Sequence, residues 1–197
     1  MIAFVRHGQT ELNRGRRLQG RVDVPLSAFG EQQAAALARA FASRPVARVV
    51  SSPLQRATAT AAAIAAPHAL PVETDARLVE LDYGDWDGRA LAEVPAADWA
   101  AWRDDPDYAP PGGERLADVT ARVARFCADE RDDDLVIAVS HVSPIKAAVC
   151  LALGVGDRAT WQMFLDVASV TRVGRRPGGN LFLAGFNDVS HLAGIEG

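Results

Sequence analysis

Three short apolar runs, each followed at once by helix-forming sequence, constrain the fold of this chain more than any other feature. They are IAFV (2–5), ARVVSS (47–52) and DLVIAVSH (134–141). A strand with one face in water alternates apolar and polar residues, and these runs do not, so they read as strands covered on both faces. Helical sequence follows each of them. Residues 30–43 (GEQQAAALARAFAS) are rich in strong helix formers, and PLQRATATAAAIAA (53–66) places Pro at a first helical position behind Ser52 as cap. GERLADVTARVARFCADE (113–130) sets Leu116, Val119, Val123 and Phe126 on one stripe. Strand then helix, three times over, predicts an α/β chain: a three-layer α/β/α sandwich with right-handed crossovers and a mostly parallel central sheet.

The remaining segments read differently. Residues 166–173 and 180–186, separated by GRRPGG, resemble a closing pair of strands joined by a tight turn. The stretch 81–113 sets Trp86, Trp99, Trp102 and Tyr108 among Asp, Gly and Pro, and reads as a lid-like insertion with short helices, its tryptophans used for core or lid packing. Asp132-Asp133-Asp134 reads as a solvated turn before a buried strand. No repeat, low-complexity tail or linker divides the chain, and 197 residues with 49% hydrophobic content suit one core, so a single domain over 1–197 is expected.

A net charge of −4 argues against nucleic acid or an anionic membrane as the main partner. Lys146 is the only lysine among 21 basic residues, a bias that matches the abundance of alanine. Cys127 and Cys150 lie in apolar helical patterns without CxxC spacing, which suits reduced, packed thiols. No run has the apolar length of a membrane span, and an Arg-His-Gly motif at residue 6 leaves no room for a leader before it, so the expected location is cytoplasmic. The strands near the C-terminus offer an edge through which a homodimer could form.

In parallel sheets, ligand groups gather at the carboxyl ends of the strands. The first run ends in Arg6-His7-Gly8, the second in SSPLQR with Arg56 in the first helical turn, and the third in Ser140-His141-Val142-Ser143-Pro144. Two histidines, two arginines and a helix N-terminus therefore converge on one crevice. Phosphoryl transfer wants this set, because its transition state keeps charge on oxygens that fixed cations stabilise. An imidazole attacks phosphorus through an unprotonated nitrogen, and neighbouring guanidinium groups favour that form. Gly8 is expected to let the backbone turn tightly beside the phosphate. A leaving alkoxide needs a proton, and Glu80 in RLVELDYGDWDG is the best candidate donor. Asp82, one strand repeat away, competes for that role, while Asp85 and Asp87 read as solvated. His68 and His191 receive no role.

These blocks, in this order, resemble the histidine phosphatase superfamily, also called the phosphoglycerate mutase-like family. The resemblance is carried by FVRHGQTELN, LQGRVDVPLSAFGEQQA, SSPLQRATATA, LVELDYGDWDG, PPGGERLADVTARV and VSHVSPIKAAV, and spans nearly the whole chain. It implies a phosphoglycerate mutase-like fold with His7 as the phosphorylated nucleophile, Arg6 and Arg56 as a phosphate clamp, His141 as a charge stabiliser and Glu80 as proton donor. Asn13 and Gln19 match positions lining the phosphate pocket of relatives. The chain departs from many members in following the second histidine with Val142-Ser143 where they carry two glycines. The Val142 amide is still expected to point at a phosphate. HVSPIK is most similar to α-ribazole phosphatase members, including versions fused to a ribonuclease H domain.

The resemblance implies a metal-independent phosphomonoesterase acting on a small phosphorylated metabolite, with no cofactor. A mutase shares the phosphohistidine but needs a lid that excludes water, and 81–113 is short for one. A non-catalytic phospho-ligand binder would have no use for the proton donor. A zinc pair formed by His7 and His141 lacks a third ligand at recognisable spacing and would stand beside repelling arginines.

Overall fold

The computed structural model describes residues 1–130 and 134–195. Six strands form one sheet in the order β3-β2-β4-β1-β5-β6. The three apolar runs become β1 (Ile2–Arg6), β2 (Val46–Ser51) and β4 (Leu135–Ser140). β4 lies between the other two and pairs in parallel with both, so all three carboxyl ends emerge on one edge. The closing strands are β5 (Val170–Arg175) and β6 (Leu181–Asp188), antiparallel to each other, and β5 is antiparallel to β1. The three-residue edge strand β3 (Val72–Thr74), parallel to β2, is too short for periodicity to find.

Side chains of the central strands alternate between two cores, as the pleat requires. Ala3, Val5, Val49, Ile137 and Val139 pack against α2 (Ala28–Phe41) and α3 (Gln55–Ala65) through Leu37, Phe41, Ala57, Ala61 and Ile64. Ile2, Phe4, Val50, Val136 and Ala138 face α5 (Leu116–Asp129) and α6 (Val142–Leu153) through Val119, Val123, Phe126, Ile145 and Ala148. Helices thus cover both faces, and the sandwich expected from the sequence is the observed fold. A four-residue helix, α1 (Glu11–Arg14), follows the first strand, closed at its start by a Thr10–Asn13 capping box.

Two local expectations change. Ser52 does not cap α3, whose N-cap is Leu54 with no side-chain bond. In the 81–113 stretch, which holds α4 (Ala96–Asp104), Trp86, Val94 and Trp102 belong to the α5/α6-side core, a packing role expected of its tryptophans. Gly8 serves a close approach of backbones instead of a turn, because a Cβ there would stand 2.5 Å from the Gly30 carbonyl oxygen in the first turn of α2. Asp132 and Asp133 lie outside the described residues; the Asp134 carbonyl accepts a bond from the N-terminal ammonium at 3.0 Å. Cys127 and Cys150 are free and buried, and burial pushes the Cys127 thiol up to about 12. No helix among the described residues is long and apolar enough to cross a membrane.

Candidate active site

Strand pairing carries straight into the site. Beyond β1, the His7 N–H donates to the Ser140 carbonyl at 3.1 Å, which holds the first residue past one strand against the end of its neighbour. His141 follows β4 directly, and the two imidazoles lie with ring centroids 5.0 Å apart. Both are buried.

Hydrogen bonds set the tautomer of His7. Its Nδ1 is 2.7 Å from the Gly8 carbonyl oxygen, which can only accept, so Nδ1 carries the proton and Nε2 keeps its lone pair. That lone pair lies 3.3 Å from the Arg56 Nε, whose N–H donates to it. Burial, reinforced by the charges of Arg56 and Arg6, holds the His7 pKa well below 6.5. His141 is held low chiefly by burial, with further contributions from His7, Arg56 and Arg6. His141 Nε2 bonds Ser52 Oγ at 2.8 Å, so the residue directly after β2 supports the second imidazole. Gly8 N–H donates to Thr60 Oγ1 at 3.1 Å, tying the loop that carries His7 to α3.

Arg56 is 0% exposed and each of its three guanidinium nitrogens donates a hydrogen bond. Beyond the bond to His7, its terminal nitrogens donate to the Val22 carbonyl at 2.9 Å and the Gly20 carbonyl at 2.7 Å. Burial pulls its pKa down to about 10, which leaves it charged at neutral pH. Asp87 grips the same loop from the other side, accepting from the N–H groups of Gly20, Arg21 and Val22 at 2.7, 2.8 and 2.8 Å. The expectation of a solvated Asp87 is therefore wrong: a carboxylate that meets three convergent amides is a structural anchor.

Glu80 and Asp82 part company. The segment between them is not a strand, so the two-residue repeat does not apply. Asp82 accepts from the Gly84 N–H at 2.9 Å and faces Arg21 at 3.4 Å. Glu80 is buried, and its loop is pinned to β4 by the Ser140 hydroxyl, which donates to the Leu78 carbonyl at 2.7 Å. Glu80 Oε1 accepts from Leu81 N–H at 2.8 Å and Ser143 N–H at 3.0 Å, and Oε2 from Val142 N–H at 3.0 Å. The N-terminal amides of α6 thus hold this carboxylate, a placement the helix dipole favours. The Val142 amide, expected to face a phosphate, is engaged by Glu80 in this structure.

A cavity of about 340 Å³ opens over these groups, lined at its polar end by Arg6, His7, Asn13, Gln19, Glu80 and Val142. Of the residues singled out from sequence, Arg56 and His141 are brought beside His7 but do not line the cavity. Arg6 donates to the Leu165 carbonyl at 2.6 Å, while its Nε and the Gln19 Nε2 are buried with no partner. Two buried N–H donors without acceptors suit a site built for an oxyanion. Asn13 Oδ1 is taken up by the Thr10 N–H at 3.1 Å in the capping box. Among the described residues no group of three or more His, Cys, Asp and Glu side chains is placed to hold a metal ion.

Sequence reasoning missed several residues that build the site. Ser52, Thr60 and Asp87 act through hydrogen bonds to chain segments distant in sequence, and carry no local signal. Tyr83 and Lys146 line the cavity; Lys146 was visible as the lone lysine, one helical turn beyond Val142.

The model of the histidine phosphatase superfamily (branch 1) matches residues 2–188. A bifunctional protein of Mycobacterium tuberculosis is 41% identical over 181 residues, covering 86% of this chain and 49% of that protein, so the chain spans about half the length of that relative. Glucosyl-3-phosphoglycerate phosphatase of Mycolicibacterium vanbaalenii is 40% identical over 166 residues, covering 78% of this chain and 74% of that protein. Among solved structures, a mycobacterial glucosyl-3-phosphoglycerate phosphatase in complex with VO3 superposes with a TM-score of 0.85 at 34% identity, over 94% of this chain and 98% of that one. With the match spanning nearly every residue from β1 to the end of β6, the chain belongs to the histidine phosphatase superfamily.

Proposed function

We propose that this protein is a metal-independent phosphomonoesterase that passes the phosphoryl group of a small metabolite through His7. The observation that carries this reading is the tautomer of His7: Nδ1–H is locked to the Gly8 carbonyl and the Nε2 lone pair stands beside buried guanidinium charge at the polar end of a cavity. Nε2 attacks phosphorus and the ester P–O bond breaks. Glu80, whose Oε2 accepts a single N–H bond and so retains a lone pair for a proton, hands that proton to the departing alkoxide. Water then attacks the phosphohistidine, returns its proton to Glu80, and inorganic phosphate leaves. Arg6, Gln19 and Asn13 bind the phosphoryl oxygens, Arg56 positions His7, and His141 supports its charge from behind. No step calls for a metal or other cofactor.

The substrate belongs to the small phosphorylated metabolites. Relatives named glucosyl-3-phosphoglycerate phosphatase and phosphoserine phosphatase 1 support a phosphorylated hydroxy acid. An α-ribazole-type ester is the second reading, favoured by HVSPIK and by Trp99 and Trp161 in the cavity wall, against which a flat base would stack. A mutase is less well supported, because Phe164 on the cavity lining is 73% exposed and 81–113 is committed to the core, leaving little to seal the site from water.

The test is a metabolite panel assayed with chelator present, together with alkaline quenching of enzyme mixed with labelled substrate. Phosphate release and label on His7 are expected, and His7→Ala should lose both, with turnover down on the order of 10⁴-fold or more. Label elsewhere, or undiminished turnover, defeats covalent catalysis at His7. With 3-phosphoglycerate and a bisphosphoglycerate primer, isomer formation outrunning phosphate release would install the mutase reading instead.

A further inference from the structure

Two cations line the cavity without a part in the proposed chemistry, Arg17 and Lys146, and Arg17 is tied to the Gly88 carbonyl at 2.9 Å. Lys146 is partly buried and lines the same space as His7, Arg6 and Glu80, yet among the described residues it makes no hydrogen bond and no ion pair. The arginines in and around the site are different. Arg6 donates to Leu165, Arg17 to Gly88, Arg56 to Gly20 and Val22, and Arg122 pairs with Glu114. Burial pulls the Lys146 ammonium down, and the nearby charge of Glu80 offsets that only in part. Removing a cation from water without a partner costs stability, so the position is hard to account for by folding alone.

Helix geometry aims this residue. Lys146 stands four residues after Val142 on α6, on the same helical face, and Cα–Cβ bonds lean toward the N-terminus of their helix. The N-terminus of α6 is the end held against Glu80. A long side chain at 146 therefore reaches back along the cavity wall toward the reacting group. It is also the one place where a chain otherwise served by arginine uses a compact ammonium on a flexible stem, which accommodates an anion without a fixed fork geometry.

We propose that Lys146 determines specificity by receiving a second anionic group of the substrate, a carboxylate on the alcohol portion of a phosphomonoester. This rests on the phosphatase reading above and narrows its substrate to phosphorylated hydroxy acids. Arg6, Gln19 and Asn13 take the phosphate; Lys146 takes the acid.

Matched ligands that differ in the carboxylate test it: 3-phosphoglycerate against glycerol 3-phosphate, and O-phosphoserine against phosphoethanolamine. Dissociation constants are measured by calorimetry in a His7→Ala background, where binding is read without turnover. The acid member of each pair should bind at least about tenfold tighter, the worth of one charge-assisted bond. Lys146→Met should collapse that ratio toward one, and Lys146→Arg should preserve most of it. Equal affinity within the pairs before Lys146 is changed would overturn the proposal. So would Lys146→Met weakening both members alike, which would place the ammonium on the phosphate. Hydrolysis of the same four esters by the wild-type protein decides the phosphatase reading separately: acid-selective binding without hydrolysis would sink that reading and leave the carboxylate site standing.

Discussion

The two ends of the cavity are built by different forces. At the polar end, His7, Arg56, Glu80 and His141 are held by hydrogen bonds of 2.7–3.3 Å to backbone groups, a serine hydroxyl and one another. At the other end the wall is aromatic. Trp102 stacks on Trp99 at a centroid distance of 5.8 Å and meets Trp161 edge-on at 5.1 Å, with Trp86 and Tyr83 at 5.8 and 5.9 Å. Hydrogen bonds are directional and fix reacting atoms to within tenths of an ångström, whereas ring packing fixes volume and tolerates small shifts. The consequence is a site whose chemical groups are set before any ligand arrives, beside a wall whose identity governs which alcohol fits. The same wall is also the core beneath 81–113, so shape and stability are coupled there and largely uncoupled at the polar end.

Truncation of the wall gives the largest effect on folding. Trp102→Ala removes the ring that contacts five other aromatic side chains in or against the core, and should lower stability by about 3–5 kcal/mol. Denaturant titration checks this; a change under about 1 kcal/mol would show that the tryptophans pack as a ligand wall and not as core.

The converse substitution lies at the polar end. Glu80→Gln keeps the shape of the side chain but cannot hand over a proton, and should slow hydrolysis of esters with poor leaving groups by about 10²–10³-fold. p-Nitrophenyl phosphate, whose leaving group needs no proton, should suffer far less. Equal losses on both, or a comparable loss in Asp82→Asn, would move the acid elsewhere.

The smallest expected effect is that of mild acid on the nucleophile. An ordinary imidazole is about nine-tenths protonated one unit below its pKa. Burial and two guanidinium charges depress His7, so at pH 5.5 it should remain mostly unprotonated, and the rate of its phosphorylation should stay within about twofold of the value at pH 7. Stability runs the other way. Below about 6.5 the unfolded chain binds protons that the buried imidazoles refuse, so stability declines as pH falls from there toward the folded-state values. Rapid-quench rates and denaturation midpoints measured across pH 5 to 7 separate the two; a phosphorylation rate that drops tenfold by pH 5.5 would mean that His7 is solvated in solution.

Most of the architecture was legible because its signals are local. The runs 2–5, 47–52 and 134–141 became β1, β2 and β4 within a residue or two, since doubly covered strands must be apolar throughout. The stripe on 113–130 became α5, and the polar residues that end each run lie at the carboxyl edge because parallel strands share a direction. Short elements escaped: β3 has three residues and α1 has four, too few to show a period. Within the site, proximity in the fold could be inferred for His7, His141, Arg6 and Arg56, but their hydrogen-bond partners could not.

The sequence by itself determined which side chains arrive at the crevice, because strand periodicity and helix stripes act over a few residues and dictate where each run must end. Tertiary structure alone decided how those side chains are used. Arg56 spends its terminal nitrogens on Gly20 and Val22, Glu80 takes the Val142 and Ser143 amides, Asp87 anchors a loop more than sixty residues earlier, and Gly8 exists to let Gly30 approach. Each of these depends on the meeting of segments far apart in the chain, and a hydrogen bond is specified by angles and tenths of an ångström that no local pattern encodes. The same holds for Lys146: its being the only lysine is plain in the sequence, and its lying in the cavity wall without a hydrogen-bond or ion-pair partner among the described residues followed only from the way α6 docks beside Glu80.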